Sequence, residues 1–404
     1  MGGRGAGRGR RFGAGRIILL GVSVLLGVAV AIVGARLVGD ALDRAGIEAF
    51  YAAPAQDGAD AAPMPGTLIR SEALPGAPFD ARAWRVMYWT TDVHGDPVPV
   101  TGTVIVPVGA APDAGRTVLA WGHPTTGTAP ECAPSRGFDP FIGIEGLRMM
   151  LDRGYTVVAT DYVGMGTTAA DSYLIGVTAG NSMLDGVRAA RSLPLAQAGS
   201  SVVLWGHSQG GQAALFAAEQ AADYAPELTI EAVAVAAPAA DLSALMGSHL
   251  DDVSGATIGS YAFQAYAQVY AGRGAELDGV LTPAAIAILP EMNRLCLLSH
   301  LGELHAIAEP VVGDFFSADP TKTAPWAQLL AENSAGGRAF DAPLFVAQGA
   351  DDALVLPADT ERFVAHEEGL GMRIEYRRVP LADHGTIAYL SLPWLDAWLD
   401  AQGV

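Results

Sequence analysis

The sequence predicts an α/β protein: a mostly parallel, doubly wound sheet covered by helices on both faces, with a helical layer inserted before its last strands. Three observations predict it. Near-continuous apolar runs recur as TVLAWGH (117–123), YTVVATD (155–161), SVVLWGH (201–207), IEAVAVAAP (230–238) and APLFVAQG (342–349), the pattern of strands buried on both faces. Helical stretches at 142–153, 181–193 and 209–223 alternate with them, which implies parallel strands joined by crossovers. Between 242 and 340 the alternation stops, and the chain reads as helices at 258–270, 283–288, 291–307 and 324–333 without a strand.

The remaining elements follow in order. Residues 1–39 form a basic N-terminus with a membrane anchor or signal peptide. Residues 1–16 are rich in Gly and Arg, and residues 17–35 carry no charge. As a helix that segment spans about 28 Å, close to the ~30 Å apolar thickness of a bilayer. The arginines stay inside, so the body is exported, anchored to the membrane through 17–38 or released by cleavage. Residues 40–83 read as a leader with a short helix at 42–51. Residues 84–91 and 98–107 alternate like two antiparallel strands around the His94-Gly95-Asp96 turn. After the insert come a helix at 357–368, the strand MRIEYRRV (372–379) and a closing helix at 387–401. The body is therefore a core of 84–241 and 341–404 interrupted by a helical cap, 242–340.

Composition excludes several classes. Half of the 404 residues are hydrophobic and mean hydropathy is +0.28, which excludes a disordered chain or a coiled coil. Net charge is −19. Six arginines (Arg4, Arg8, Arg10, Arg11, Arg16, Arg36) precede the first acid, and without them the remainder carries −25. Such a body repels phosphate backbones, so no nucleic-acid partner is expected. The two cysteines, Cys132 and Cys296, are compatible with one long-range disulfide in an oxidising compartment or with two buried thiols. They are too few for a structural zinc site.

The chemistry centres on Gly206-His207-Ser208-Gln209-Gly210, a G-x-S-x-G match. An apolar strand runs into it and a helix runs out, the context that lifts a serine hydroxyl over a sheet edge at the positive end of a helix. A serine nucleophile needs a base, and the base an orienting acid. His384, in Leu381-Ala382-Asp383-His384-Gly385, follows the last strand and precedes the last helix. His366 falls in a helix, and His249, His300 and His305 fall in the insert. His300, Glu303 and His305 do not share one helical face, so no metal site is expected. Asp352 lies three residues past Gly349 and is the first candidate acid. Asp351 is the reserve; Asp383 and Asp241 are further candidates. The oxyanion needs two backbone N–H donors. Gln209 supplies one, and Thr125 the other, because Pro124 has none to give. His123 shapes that loop.

The stretches AFYAAP…PGTLIRSE, WGHPTTGTAPECAPS, ATDYVGMG, WGHSQGGQAALFAAE, GADDALVLP and ADHG resemble the secretory lipase family of α/β-hydrolases, over roughly residues 45–403. The resemblance implies an α/β-hydrolase fold and hydrolysis of triacylglycerols or other esters without a cofactor. It implies a triad of Ser208, Asp352 and His384, and a cap inserted before the acid. It also implies that Cys132 of the CAPS segment bridges to Cys296 in the cap. Pro124 departs from the glycine expected after the histidine. The expectation is an exported, monomeric serine carboxylic ester hydrolase acting on small-molecule or lipid esters. The alternative is a serine peptidase or acyltransferase on the same fold.

Overall fold

The computed structural model describes residues 46–54 and 63–404. The chain divides into two units, Met1–Ala52 and Ala53–Val404. In the first, residues 46–51 are helical. The rest of the helix expected over 42–51, and the apolar segment 17–38, lie outside the described residues. No helix among the described residues is long and apolar enough to cross a membrane.

Among its described residues, the second unit is built on nine strands: β1 (Leu68–Leu74), β2 (Arg82–Thr91), β3 (Pro97–Val106), β4 (Arg116–Gly122), β5 (Thr156–Thr160), β6 (Ala198–His207), β7 (Thr229–Ala236), β8 (Leu344–Gly349) and β9 (Ile374–Val379). They lie in the order β1-β2-β3-β5-β4-β6-β7-β8-β9. The first three are antiparallel, β3 meets β5 antiparallel, and every pair from β5 to β9 is parallel. Asp92 closes the β2–β3 turn, its Oδ1 accepting from the N–H of His94 (2.8 Å) and of Asp96 (2.9 Å). β1 is a strand within the leader, 40–83, for which only a short helix is expected. Its sequence LIRSEAL is only half-buried on the sheet's edge, so it lacks the apolar run that betrays the inner strands.

The helices are α1 (Leu147–Asp152), α2 (Gly176–Ser192), α3 (Gln209–Tyr224), α4 (Leu242–Ser248), α5 (Val253–Val269), α6 (Pro283–Met292), α7 (Leu297–Ala308), α8 (Trp326–Glu332), α9 (Pro357–Gly369) and α10 (Ile387–Gln402). Three boundaries differ from expectation for identifiable reasons. Gly146 adopts φ +86°, a left-handed conformation that starts α1 five residues late. α2 starts five residues early, because its first turns are buried and built of small residues. A Cβ on Gly180 would lie 2.7 Å from the Ala217 nitrogen, so no apolar stripe marks a helix that packs backbone to backbone. In the insert, α4 is an additional helix. The helix expected over 291–307 is broken by a turn at Asn293, whose N–H and Nδ2 both bond the Leu289 carbonyl, each at 2.9 Å.

Two hydrophobic clusters occupy the two faces of the sheet. On β6, Val203 and Trp205 join one and Val202 and Leu204 the other, the alternation a pleated strand imposes. The insert shares the first cluster. Its fully buried Tyr261, Phe263, Tyr266, Phe315 and Trp326 pack in the same core as Trp121 and Trp205. At about 1.5–3 kcal/mol for each large side chain buried, that shared core holds the insert against the carboxyl edge of the parallel strands.

Candidate active site

Ser208 stands between β6 and α3 with φ +57° and ψ −115°, a conformation costly for a residue with a Cβ. Its N–H bonds the Ala236 carbonyl at 3.0 Å. The turn closes because its neighbours lack side chains. A Cβ on Gly206 would lie 1.9 Å from the Gly210 oxygen, and one on Gly210 would lie 1.8 Å from the Gly122 oxygen. β4, β6 and the head of α3 therefore cross at backbone contact, with the hydroxyl above the crossing.

His384 reaches this hydroxyl from the loop after β9. Its Nε2 lies 2.9 Å from Ser208 Oγ, and its Nδ1 lies 2.9 Å from Asp352 Oδ2. A carboxylate accepts, so Nδ1 is assigned the proton and Nε2 is left to accept from the serine. Asp352 is buried and held by three further donors. Its Oδ1 accepts from the N–H of Leu354 (2.9 Å) and of Val355 (3.0 Å), and its Oδ2 from Gln348 Nε2 (3.2 Å).

None of the other candidate acids bonds the imidazole. Asp351 is exposed; its backbone N–H bonds the Ala382 carbonyl at 3.0 Å. Asp383 faces away from the imidazole, its Oδ1 accepting from Thr386 Oγ1 (2.6 Å) and Thr386 N–H (3.0 Å). Those bonds hold its carboxyl below the usual carboxylate range. Asp241 caps α4 through the Ala244 N–H, 2.9 Å away.

Ser208, Gln209, Thr125 and His384 share the wall of a cavity of about 400 Å³. The N–H of Gln209 and the N–H of Thr125 have no acceptor among the described residues. The Thr125 hydroxyl meets the Tyr173 hydroxyl at 2.8 Å. The rest of the wall is mainly apolar, and Leu245, Ile258, Leu297 and Leu298 reach it from the insert. The loop carrying Thr125 is fastened to the insert at three points, one of them the Thr128 hydroxyl donating to Asn293 Oδ1 at 3.0 Å. Cys132 and Cys296 form a disulfide with Cα atoms 5.3 Å apart, so two unpaired thiols are excluded. The Leu297 N–H bonds the Thr126 carbonyl at 2.8 Å. His123 turns its Nδ1 to the Pro124 carbonyl, 2.7 Å away, and its own carbonyl accepts from Tyr162 Oη at 3.1 Å. Burial pushes its imidazole pKa down.

Two further side chains belong to this site and are not among the sequence candidates. His207 Nε2 lies 2.9 Å from the His384 carbonyl, and its Nδ1 lies 3.0 Å from a carboxyl oxygen of Glu145. His207 occupies the variable place of the G-x-S-x-G motif. Glu145 sits 62 residues upstream in a turn, with no sequence signal to mark it.

Sheet, insert, strained serine and hydrogen-bonded imidazole define the class: a hydrolase of the lipase and esterase kind on an α/β-hydrolase fold. The family model for secretory lipases matches residues 142–402, and the chain belongs to the secretory lipase family. It is 26% identical to Lipase A of Arthroderma benhamiae over 364 residues, covering 83% of this chain and 75% of that one. It is 25% identical over 353 residues to a probable inactive lipase of Mycobacterium tuberculosis, covering 83% and 78%. Among solved structures it is similar to Candida antarctica lipase A in its closed state, with a TM-score of 0.73, 20% identity and 87% and 84% coverage. It is also similar to the cell wall degrading esterase LipA of Xanthomonas oryzae, with a TM-score of 0.69, 24% identity and 84% and 98% coverage.

Proposed function

We propose that this chain is an exported serine carboxylic ester hydrolase that cleaves triacylglycerols or similar acyl esters through an acyl-enzyme. Asp352 orients His384 and stabilises its charged form. His384 takes the Ser208 proton as Oγ attacks the ester carbonyl, then returns it to the leaving alcohol. The Gln209 and Thr125 N–H groups hold the oxyanion. Water, activated by the same imidazole, releases the acid. The observation that carries this reading is one imidazole within 2.9 Å of both the Ser208 hydroxyl and the Asp352 carboxylate. The two N–H groups without acceptors and the apolar cavity support it, since an acyl chain fits such walls.

In this reading the insert, 242–340, is a lid on a core of 84–241 and 341–404, and segment 17–38 directs export or anchors the chain. The Mycobacterium tuberculosis relative is named a probable inactive lipase. Here the serine, the imidazole and the carboxylate are all present and hydrogen-bonded, so turnover is expected. The test is hydrolysis of p-nitrophenyl esters of rising chain length by the wild type and by Ser208→Ala. The variant is expected to keep its circular dichroism spectrum and lose turnover. Turnover retained by Ser208→Ala refutes the assignment. Peptide amides and added alcohols in the same assay separate the peptidase and acyltransferase alternatives.

A further inference from the structure

The site holds a second imidazole as closely fixed as the first. His207 and Glu145 are 3% and 5% exposed. His207 Nδ1 lies 3.2 and 3.0 Å from the two carboxyl oxygens of Glu145, and Nε2 lies 2.9 Å from the His384 carbonyl oxygen. The Glu145 backbone is itself fixed, its carbonyl accepting from Trp205 Nε1 at 2.8 Å. A carbonyl oxygen carries no proton, so Nε2 must be an N–H donor. A proton then lies between Nδ1 and the Glu145 carboxyl, and Nε2 keeps its own proton on the His384 carbonyl. Without the carboxyl, the ring is free to move its proton to Nδ1 and release the loop.

We propose that His207 is a positioning residue for His384, and that Glu145, through its hydrogen bond to Nδ1, holds the His207 ring in the form that donates from Nε2. The inference rests on the reading of Ser208 and His384 as nucleophile and base. His207 is the last residue of β6 and adjoins Ser208 in the chain. Through its side chain, the rigid strand that carries the hydroxyl also holds the backbone of the imidazole that must meet it, 177 positions further on. The loop's other ties, Ala382 to Asp351 and Asp383 to Thr386, flank His384; the His207 contact falls on His384 itself.

The test compares His207→Phe, Glu145→Ala and Glu145→Gln in the full chain. Misplacing a reacting group by on the order of 1 Å costs up to about 100-fold. His207→Phe is therefore expected to lower kcat by roughly 10–100-fold with KM within about twofold. Phosphonylation of the serine by a p-nitrophenyl phosphonate should slow in proportion, because it needs the same proton removed. Glu145→Ala is expected to behave similarly. The amide of Glu145→Gln can donate to Nδ1 and keep the proton on Nε2, so this variant is expected to be about tenfold faster than Glu145→Ala. A wild-type kcat in His207→Phe, a loss confined to KM, or equal impairment of the two Glu145 variants overturns the proposal. Should His207→Phe fail to fold by circular dichroism, the Glu145 pair decides. Turnover in Ser208→Ala would instead sink the underlying reading, whereas an inactive Ser208→Ala beside a fully active His207→Phe sinks only the positioning role.

Discussion

Asp352→Asn is the sharpest perturbation of the proposed relay, because the geometry leaves the amide no comfortable orientation. Four donors converge on the carboxylate: the N–H groups of Leu354 and Val355 on Oδ1, and Gln348 Nε2 and His384 Nδ1 on Oδ2. An asparagine has one acceptor oxygen and one NH₂. With the oxygen toward Leu354 and Val355, the NH₂ opposes Gln348 and forces His384 to accept at Nδ1. The imidazole proton then sits on Nε2, facing Ser208, and cannot take the hydroxyl proton. With the amide flipped, the NH₂ opposes two backbone N–H groups in a buried site. A tautomer error of this kind costs on the order of 10⁴ in kcat, or about 5 kcal/mol of transition-state stabilisation. Opposed buried donors add roughly 1–3 kcal/mol of lost fold stability. The assay is kcat and KM on a soluble p-nitrophenyl ester near pH 8, with a urea melt alongside. A kcat loss smaller than about tenfold, with the fold intact, would refute the claim that this carboxylate sets the tautomer of His384.

Three further perturbations test other parts of the molecule. Reducing the Cys132–Cys296 disulfide frees a 164-residue separation; the chain-entropy ceiling is roughly 5 kcal/mol, so a clear drop in Tm with a phosphine reductant is expected, and an unchanged Tm refutes it. Burial, with Glu367 nearby, raises the Glu219 carboxyl to about 7. The folded state then holds a proton the unfolded state has released, so this contribution is full below pH ~4.5 and is lost as pH rises through about 7. Glu219→Gln keeps an oxygen for the Gly336 N–H and should flatten the fall in stability between pH 5 and pH 8 by on the order of 1–3 kcal/mol; parallel urea melts for wild type and variant contradict this. Gly349→Ala would put a Cβ 2.5 Å from the Ala382 oxygen, so kcat should fall by more than its Tm loss explains; a wild-type kcat denies the loop this role.

The inner strands are legible because burial on both faces writes them as unbroken apolar runs, from β4 to β8. β1 is not, since an edge strand with Arg70, Ser71 and Glu72 at its centre carries no such run. Helix starts are hidden where small buried residues replace an apolar stripe, as at Gly176 and Gly180 in α2. For the site, chain order and position after strands single out Ser208, Asp352 and His384, and the structure joins them by hydrogen bonds. Choosing between Asp351 and Asp352 needs the turn in which Leu354 and Val355 bend back onto the carboxylate. Glu145 is invisible beforehand because it acts across the fold, through a contact with His207 that no spacing encodes.

The hydrogen-bonded residues leave the sheet from the carboxyl ends of β6, β8 and β9. β6 is flanked on both sides, but β9 is an edge strand paired only to β8, and of its residues only Val379 is buried. Slipping an edge strand by one residue moves its loop about 3.3 Å, whereas proton transfer demands hydrogen-bond distance at the moment of reaction. Strand pairing therefore does not suffice to hold an imidazole to a serine three strands away. The chain supplies the difference with contacts beyond strand pairing. Ala382 bonds Asp351 and lies against a side-chain-free Gly349, Asp383 closes a turn on Thr386, and His207 reaches from β6 to His384 itself. The hydroxyl is fixed by a strained turn in the middle of the sheet, and the His207 contact ties the backbone of the imidazole to that same turn, so errors in the edge strand need not reach the reacting atoms.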